Sequence, residues 1–429
     1  MSFELNKYVK IYRKKLINGL EVVILYNPKT PIVSMNLSYK VGSKDERIGR
    51  RGFAHLFEHL MFEGSKHVPK GEFDKICSSA GGTNNAYTTY DYTAYTMTLP
   101  SHQLELGLWL ESDRMFYSEI SQTALETQQK VVTEEILQTV ENQPYGRWRE
   151  YLAAGAYQPE CSYSWEVHGS KEDVANSTLE DVNDFFHTFY NPENACLVLA
   201  GDCEPNKTIP IVEKYFGLNI PQKEIQRNVF DEKYKLYGKN INTFDNVPLP
   251  AVFISFHLGD YRSEDLYTAE VLSFMAGIGK SSEFYKKMVY ELQIASQVGA
   301  FVDKRENCSL LTFYAVANKS HITTGELAEA IYNELDKLKE GNIELSLLEK
   351  CRNQLTSQMA NEIQYSHGLA DMVGNFTLFW DNPELIFDVL GKYSDVDASS
   401  VSKFAAKYLK KDESIRVDVL PKEISEKDE

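Results

Sequence analysis

The sequence predicts an α+β protein of two homologous αβ units, each a mostly antiparallel sheet packed with helices. Three observations carry this: the chain length, a weak internal duplication, and strand and helix periodicities mixed within each copy. At 429 residues the chain exceeds the roughly 250–300 residues at which single hydrophobic cores stop growing. The strand-like PIVSMNLSY from Pro31 resembles PAVFISFHL from Pro250, and LEDVNDFFHTFY from Leu179 lines up with ASSVSKFAAKYL from Ala398, both at an offset of 219. In that register Val182 meets Val401, Phe185 meets Phe404 and Phe189 meets Tyr408. An offset that holds at both ends of a half is what two copies of one unit produce, and chance matches rarely repeat it. The division is expected in the polar segment 221–233, giving domains 1–222 and 223–429.

Within the first copy, residues 20–26 and 32–41 are rich in β-branched residues and read as strands. Residues 50–63 carry Phe53, Leu56, Phe57, Leu60 and Met61 at helical spacing, with Gly64 as a stop. Pro69 to Ala80 reads as a second short helix ending at Gly81 and Gly82. The Thr- and Tyr-rich residues 83–99 read as strands around a turn near Asp91, and helices dominate from there to about residue 141. Helices covering one face of each sheet are the expected architecture.

Composition narrows the function. Lys plus Arg number 45 against 62 Asp plus Glu, a net charge of -17, so nucleic acid and anionic membranes are poor partners. The amino-terminal residues show no signal-peptide pattern, and no apolar run approaches the roughly 20 residues that span a bilayer, which makes the cytoplasm the expected location. Cys77, Cys161, Cys196, Cys203, Cys308 and Cys351 form no CxxC pair and read as reduced, mostly buried thiols.

The most informative pentapeptide is HLFEH, residues 55–59. On a helix His55 and His59 are i and i+4, so both imidazoles leave one face and can share an ion. Glu58 stands beside that ion within reach of a water on it, without having to ligate it. With 9 His in 429 positions, HxxEH arises by chance in roughly 2% of such chains. Two histidines on so apolar a helix are costly unless something satisfies them, and a metal does so most directly. A catalytic zinc takes three protein ligands, so a third is needed. Residues 125–142 supply it: Leu125, Val132, Ile136 and Val140 mark a buried side, Glu135 lies at its edge and Glu134 points nearly opposite. Gln128 shares Glu135's direction and either holds the ligating carboxylate from behind or is an exposed helix position.

These residues resemble the pitrilysin or insulinase family of zinc peptidases, whose HxxEH inverts the HExxH of other zinc peptidases. Glu135 follows His59 by 76 residues, the family's usual spacing, and GGTNNAYTTYDYTAY, ENQPYG, NPENACLVLAGD and NVPLPAV resemble its other landmarks along the chain. The length matches the short two-domain form, similar to a mitochondrial processing peptidase subunit. The resemblance implies a zinc-dependent endopeptidase of peptides or unfolded segments, with zinc on His55, His59 and Glu135 and with Glu58 as general base. It also implies extended substrates paired to the backbone of Asn85, Ala86 and Tyr87. The second copy departs from this chemistry. Phe274, Gly277 and Ile278 stand where His55, Glu58 and His59 do, and Val289 and Ser296 occupy positions where self-sufficient members carry an Arg and a Tyr that reach the substrate carbonyl. The resemblance therefore implies a dimer, either a heterodimer with a homologous subunit lacking HxxEH or a homodimer in which groups such as Tyr285 stand in. A non-catalytic assembly subunit is the alternative reading, and the intact ligand set argues against it.

Overall fold

The computed structural model describes residues 9–219 and 223–422, so the expected boundary at 222 and 223 falls beside residues outside the described set. The chain forms two compact units. One contains residues up to Ile136 with Glu166–Asn228 and Met359–Leu390, and the other contains Leu137–Trp165, Val229–Gln358 and the residues from Gly391 on.

The first unit is built on β1 (Lys10–Lys15), β2 (Glu21–Tyr26), β3 (Ile32–Tyr39), β4 (Thr83–Thr88), β5 (Thr93–Pro100) and β6 (Ala195–Gly201). The sheet order is β1-β2-β6-β3-β5-β4. The second unit has β7 (Lys239–Asp245), β8 (Ala251–His257), β9 (Ala295–Asp303), β10 (Leu310–Ala317) and β11 (Ile415–Pro421), in the order β7-β11-β8-β10-β9. Apart from the edge strand β1, the two orders are one topology: β2 with β6 and β7 with β11 are the parallel pairs, and the other pairings are antiparallel. The helices of the first half are α1 (Phe53–Leu60), α2 (Glu72–Ser79), α3 (Leu104–Tyr117), α4 (Gln122–Ile136), α5 (Trp148–Ala156), α6 (Lys171–Ala175), α7 (Leu179–Phe189) and α8 (Pro205–Phe216). Those of the second half are α9 (Asp265–Gly277), α10 (Thr324–Lys339), α11 (Leu345–Gln364), α12 (Ser366–Trp380), α13 (Val389–Ser394) and α14 (Ala398–Tyr408). The duplication is visible in the bounds themselves. Helix α14 begins and ends 219 residues after α7, and both open with a capping box, Thr178 with Asp181 and Asp397 with Ser400.

The expectation of helices on one face of each sheet is corrected. Along β3 the side chains alternate between two covered faces. Asn36 Nδ2 donates to Asp371 of α12 at 2.9 Å, whereas Met35 lies where a Cβ on Gly107 of α3 would be 2.8 Å from it, and Tyr39 packs on Tyr190 with centroids 4.5 Å apart. The second sheet is covered in the same way. Trp148 of α5 stacks on Phe253 at 4.3 Å, and on the opposite face Thr324 of α10 donates to Asp418 of β11, the cross-strand partner of Val252, at 3.0 Å. In each unit one of the covering helices, α12 or α5, comes from the other half of the sequence, which a constant-offset comparison has no means to reveal.

All six cysteines are free and buried. Among the described residues no helix is long and apolar enough to cross a membrane. In the second unit His257 is buried, with Nε2 bonded to the Leu236 carbonyl at 3.1 Å and Nδ1 3.4 Å from Cys308 Sγ. Burial holds its imidazole down at about 4. A histidine that stays neutral when folded but titrates near 6.5 when unfolded lets the unfolded chain bind the extra proton as pH falls, so stability is lost from about pH 6.5 downward. Going from pH 7 to pH 5 is expected to weaken this unit by about 2 kcal/mol. Denaturant melts of wild type and His257→Leu check this, the variant losing that part of the acid slope.

Candidate active site and metal centre

Helix α1 presents the site. It starts at Gly52, whose φ of +91 favours glycine and whose Cβ, if present, would lie 2.5 Å from the His168 carbonyl oxygen. The buried carboxylate of Glu46 caps its free end, accepting from Gly52 N at 2.9 Å and Ala54 N at 2.8 Å. Phe53, Leu56, Phe57 and Leu60 anchor the inner face, with Phe57 against Phe185, Phe186 and Tyr190. That leaves His55, Glu58 and His59 half-buried on the remaining arc.

Helix α4 completes the set. Leu125, Val132 and Ile136 are buried, Glu134 is exposed, and Glu135 is half-buried, as the periodicity requires. Val140 is only half-buried because the helix changes to a π-turn over Leu137–Glu141, which shifts its phase. His59 Nε2 is 3.3 Å from Glu135 Oε2 and 3.3 Å from His55 Nε2, and His55 Nε2 is 3.8 Å from Glu135 Oε1. The three donor atoms lie within 4.8 Å of one another, and among the described residues no other group of three such side chains does so. Two imidazoles and a carboxylate are a set that holds a catalytic zinc. His55 Nδ1 is buried without a hydrogen-bond partner, a cost that a neutral ligating imidazole leaves smaller than a charged one would.

The electrostatics fit ligands waiting for a cation. Burial, then the charge of His59, pushes His55 down to about 4. Burial also pulls on His59, but the hydrogen bond and charge of Glu135 outweigh it and raise His59 above its ordinary value. The same hydrogen bond holds the Glu135 carboxyl below the usual carboxylate range. Burial raises Glu58, opposed by Thr88, whose Oγ1 donates to Glu58 Oε2 at 2.5 Å.

A cleft of about 680 Å³ opens from Glu58 and His59 along Phe62, Asp74 and residues 82–86. One wall is β4, which pairs with β5 on one side and has no strand on the other among the described residues. Asn85 and Ala86 line the cleft. The Tyr87 side chain is turned elsewhere: its hydroxyl bonds to the Asp371 carboxylate and lies 3.2 Å from Tyr92 Oη. Gln128 is tied through Nε2 to Glu63 Oε1 at 2.6 Å, and its Oε1 is buried without a hydrogen-bond partner. Sequence reasoning missed Glu46, Thr88 and Glu63; only Glu63 left a signal, standing four residues after His59 on the same helical arc.

In the second unit Phe274 is half-buried on α9, Gly277 is that helix's last residue, and Ile278 lies beyond its end. A Cβ on Gly277 would lie 2.3 Å from the Ala300 nitrogen, so this position admits no ligand side chain. Val289 is half-buried in the helical turn Tyr285–Glu291, and Ser296 is an exposed residue of β9 whose hydroxyl donates to the Ala317 carbonyl at 2.9 Å.

The sequence profile described as insulinase, peptidase family M16, matches residues 21–164, and that of the peptidase M16 inactive domain matches residues 176–355. The chain is 28% identical over 410 residues to a zinc protease of Helicobacter pylori, covering 94% of this chain and 91% of that one. It is 23% identical over 402 residues to a probable mitochondrial-processing peptidase subunit beta of Arabidopsis thaliana, covering 91% and 75%. Among solved structures, that of a protease from Helicobacter pylori superposes with a TM-score of 0.90 at 27% identity, covering 96% of this chain and 100% of that one.

Proposed function

Because the chain belongs to the insulinase family of peptidases, we propose that it is a zinc-dependent metalloendopeptidase hydrolysing extended peptides or unfolded segments. The observation that carries the proposal is the convergence of His55, His59 and Glu135 donor atoms within 4.8 Å beside the half-buried carboxylate of Glu58, at the mouth of a cleft walled by an open strand edge. In this reading residues 1–222 form the catalytic zinc-binding domain, and residues 223–429 are a degenerate repeat without metal. A cytoplasmic location belongs to the same proposal.

His55 Nε2, His59 Nε2 and Glu135 would hold the zinc, which when bound supplies a Lewis acid that lowers the pKa of water toward about 7. The chain's own residues do the rest. The open edge of β4 at Asn85 and Ala86 pairs with the substrate backbone, fixing it as an added strand so that one peptide carbonyl passes Glu58 and His59. Glu58 takes the proton of the attacking water and delivers it to the departing amine. Thr88 already donates to Oε2, so Oε1 is the oxygen left to receive that proton. Burial, which raises Glu58, makes it a better base than a surface carboxylate.

With Val289 and Ser296 where an Arg and a Tyr would reach the substrate carbonyl, the oxyanion is under-served in this chain alone, at roughly 10²–10³-fold per missing donor. A second chain supplying such donors, with Tyr285 as a homodimeric substitute, completes the reading, and relatives named as subunits support it. The test is hydrolysis of a fluorogenic peptide library with and without chelator, at several protein concentrations, alone and with a co-purified homologue. Chelator-sensitive cleavage that rises with concentration or with the partner is expected. Cleavage indifferent to chelator would overturn the zinc reading, and full activity of a monomer would overturn the two-chain reading.

A further inference from the structure

Strand β4 is held from both of its faces. Successive side chains of a strand point to opposite sides. Towards α1 and α2, Thr88 Oγ1 donates to Glu58 Oε2 at 2.5 Å and Asn84 Nδ2 donates to Asp74 Oδ1 at 3.1 Å. On the other side the Tyr87 hydroxyl donates to the carboxylate of Asp371 on α12. As an edge strand β4 is paired with β5 alone among the described residues, and an element with so few backbone bonds opens easily unless side chains tie it down.

The bonds around Asp371 run in one direction. Its Oδ1 receives both Tyr87 Oη and Asn36 Nδ2, the latter at 2.9 Å, and so acts only as an acceptor. Asn36 is oriented by Ser38, whose Oγ donates to Asn36 Oδ1 at 2.5 Å. The Tyr87 hydroxyl has one proton, which points at Asp371, so towards Tyr92 Oη, 3.2 Å away, it is the acceptor. Tyr92 in turn accepts from Asn375 Nδ2 at 3.0 Å. Each donor leads towards the one carboxylate, which fixes the order of the whole chain of bonds. Asn36, Ser38 and Tyr92 are buried and Asp371 is half-buried. Helix α12 lies so close to β3 that a Cβ on Gly374, one turn past Asp371, would be 3.2 Å from Asn36 Oδ1.

At the matching place in the second copy the strands are closed by hydroxyls. Ser255 of β8 stands 219 residues after Asn36, and its Oγ lies 2.7 Å from Thr312 Oγ1 of β10. A carboxylate packed beneath a sheet is costly unless it is well bonded. This chain places one in the unit that holds the metal ligands, behind the strand that walls their cleft.

We propose that Asp371 is a positioning residue of the peptide-binding edge: through Tyr87 it seats β4 between α12 and Glu58, so that the backbone of Asn85 and Ala86 stands extended and in register for an added strand. This rests on the reading of that edge as the place of the substrate. Asp371 acts on the peptide only by way of Tyr87. Its loss therefore falls on peptide affinity, whereas His55, His59 and Glu135, which stand on α1 and α4, keep their zinc.

The test compares Asp371→Leu, Asp371→Asn, Tyr87→Phe and the double variant D371L with Y87F, in the full chain. The readouts are binding of a fluorescein-labelled unstructured peptide to zinc-free protein, KM and kcat for a fluorogenic peptide, zinc affinity by chelator competition, and backbone hydrogen exchange of residues 83–88. Asp371→Leu and Tyr87→Phe should each weaken peptide binding and raise KM by roughly tenfold, the size of one lost bond to a charged group. Zinc affinity and kcat should stay close to wild type, and exchange should quicken in β4 and not in β1 or β2. Asp371→Asn keeps an acceptor oxygen for Tyr87 and Asn36 and should recover most of the affinity. The double variant should be no weaker than the worse single one, because Asp371 acts through Tyr87. Losses that add, unchanged peptide affinity and exchange in Tyr87→Phe, or zinc lost in step with peptide would overturn the proposal, and Tyr87→Phe decides it even where Asp371→Leu fails to fold. Wild type that binds the peptide and hydrolyses nothing would sink the peptidase reading alone. Wild type that neither binds nor cleaves peptide would remove the edge as a substrate site and the role of Asp371 with it.

Discussion

Glu58→Gln is expected to keep its full zinc content and lose 10²–10⁴-fold in kcat/KM, about 3–5 kcal/mol of transition-state stabilisation. The substitution is nearly isosteric, and its carbonyl can still accept from Thr88 Oγ1, which donates to this side chain at 2.5 Å. What it removes is basicity, since an amide accepts no proton at neutral pH. Zinc stays because the three donors that converge are those of His55, His59 and Glu135. The pH profile supplies a second reading of the same group. The acid limb of kcat/KM reports protonation of Glu58, and Thr88 holds that carboxyl lower than burial alone would. Thr88→Val removes the restraint, so the folded pKa rises and activity is lost at a higher pH as acid is added. Hydrolysis by Glu58→Gln at the wild-type rate, with zinc content matched by atomic absorption, would remove Glu58 as the base.

The parts of this architecture that were legible in the sequence are those written in local periodicity. HxxEH needs only the i+4 rule, and the α7 and α14 duplication shows because both helices keep the same aromatic stripe and the same capping chemistry. The face of α4 that carries Glu135 follows from a 3.6-residue period, and it failed at Val140, where the period itself changes. What stayed hidden depends on pairings between distant residues. Asp371 binds Asn36 and Tyr87 across 335 and 284 positions, and neither spacing leaves a trace in one sequence. The Tyr87 side chain was for that reason indistinguishable from its neighbours on β4, although the structure commits it to the α12 side of the sheet. Glu63 was hidden differently. Its spacing from His59 was readable, but its meaning depends on Gln128, 65 residues away.

Glu135→Ala against Glu134→Ala is the sharpest contrast that one helix offers. The two carboxylates are adjacent in sequence and alike in charge, so they contribute equally to the acidic balance of the chain and to helix propensity, and only direction separates them. Glu134 is exposed, whereas Glu135 reaches His59 Nε2 at 3.3 Å and His55 Nε2 at 3.8 Å. Losing a direct ligand should weaken zinc by more than the 10–100-fold that an outer partner costs, so Glu135→Ala is expected to purify largely zinc-free and Glu134→Ala to carry about one zinc per chain. Linkage gives a readout independent of hydrolysis. A ligand present at 100 times its Kd stabilises the folded state by about 2.7 kcal/mol, so chelator should lower the melting temperature of wild type and Glu134→Ala and leave Glu135→Ala unmoved. Without metal the two variants also diverge at the imidazoles. Glu135 is what lifts His59 above its ordinary value against the pull of burial, so its removal lets that pKa fall. The stability this pair adds at low pH, which is lost as pH rises through the folded pKa, should therefore disappear in Glu135→Ala and persist in Glu134→Ala. Equal zinc loss in the two variants would mean that the inward face of α4 is not the metal face, and the third ligand would have to be sought on another element.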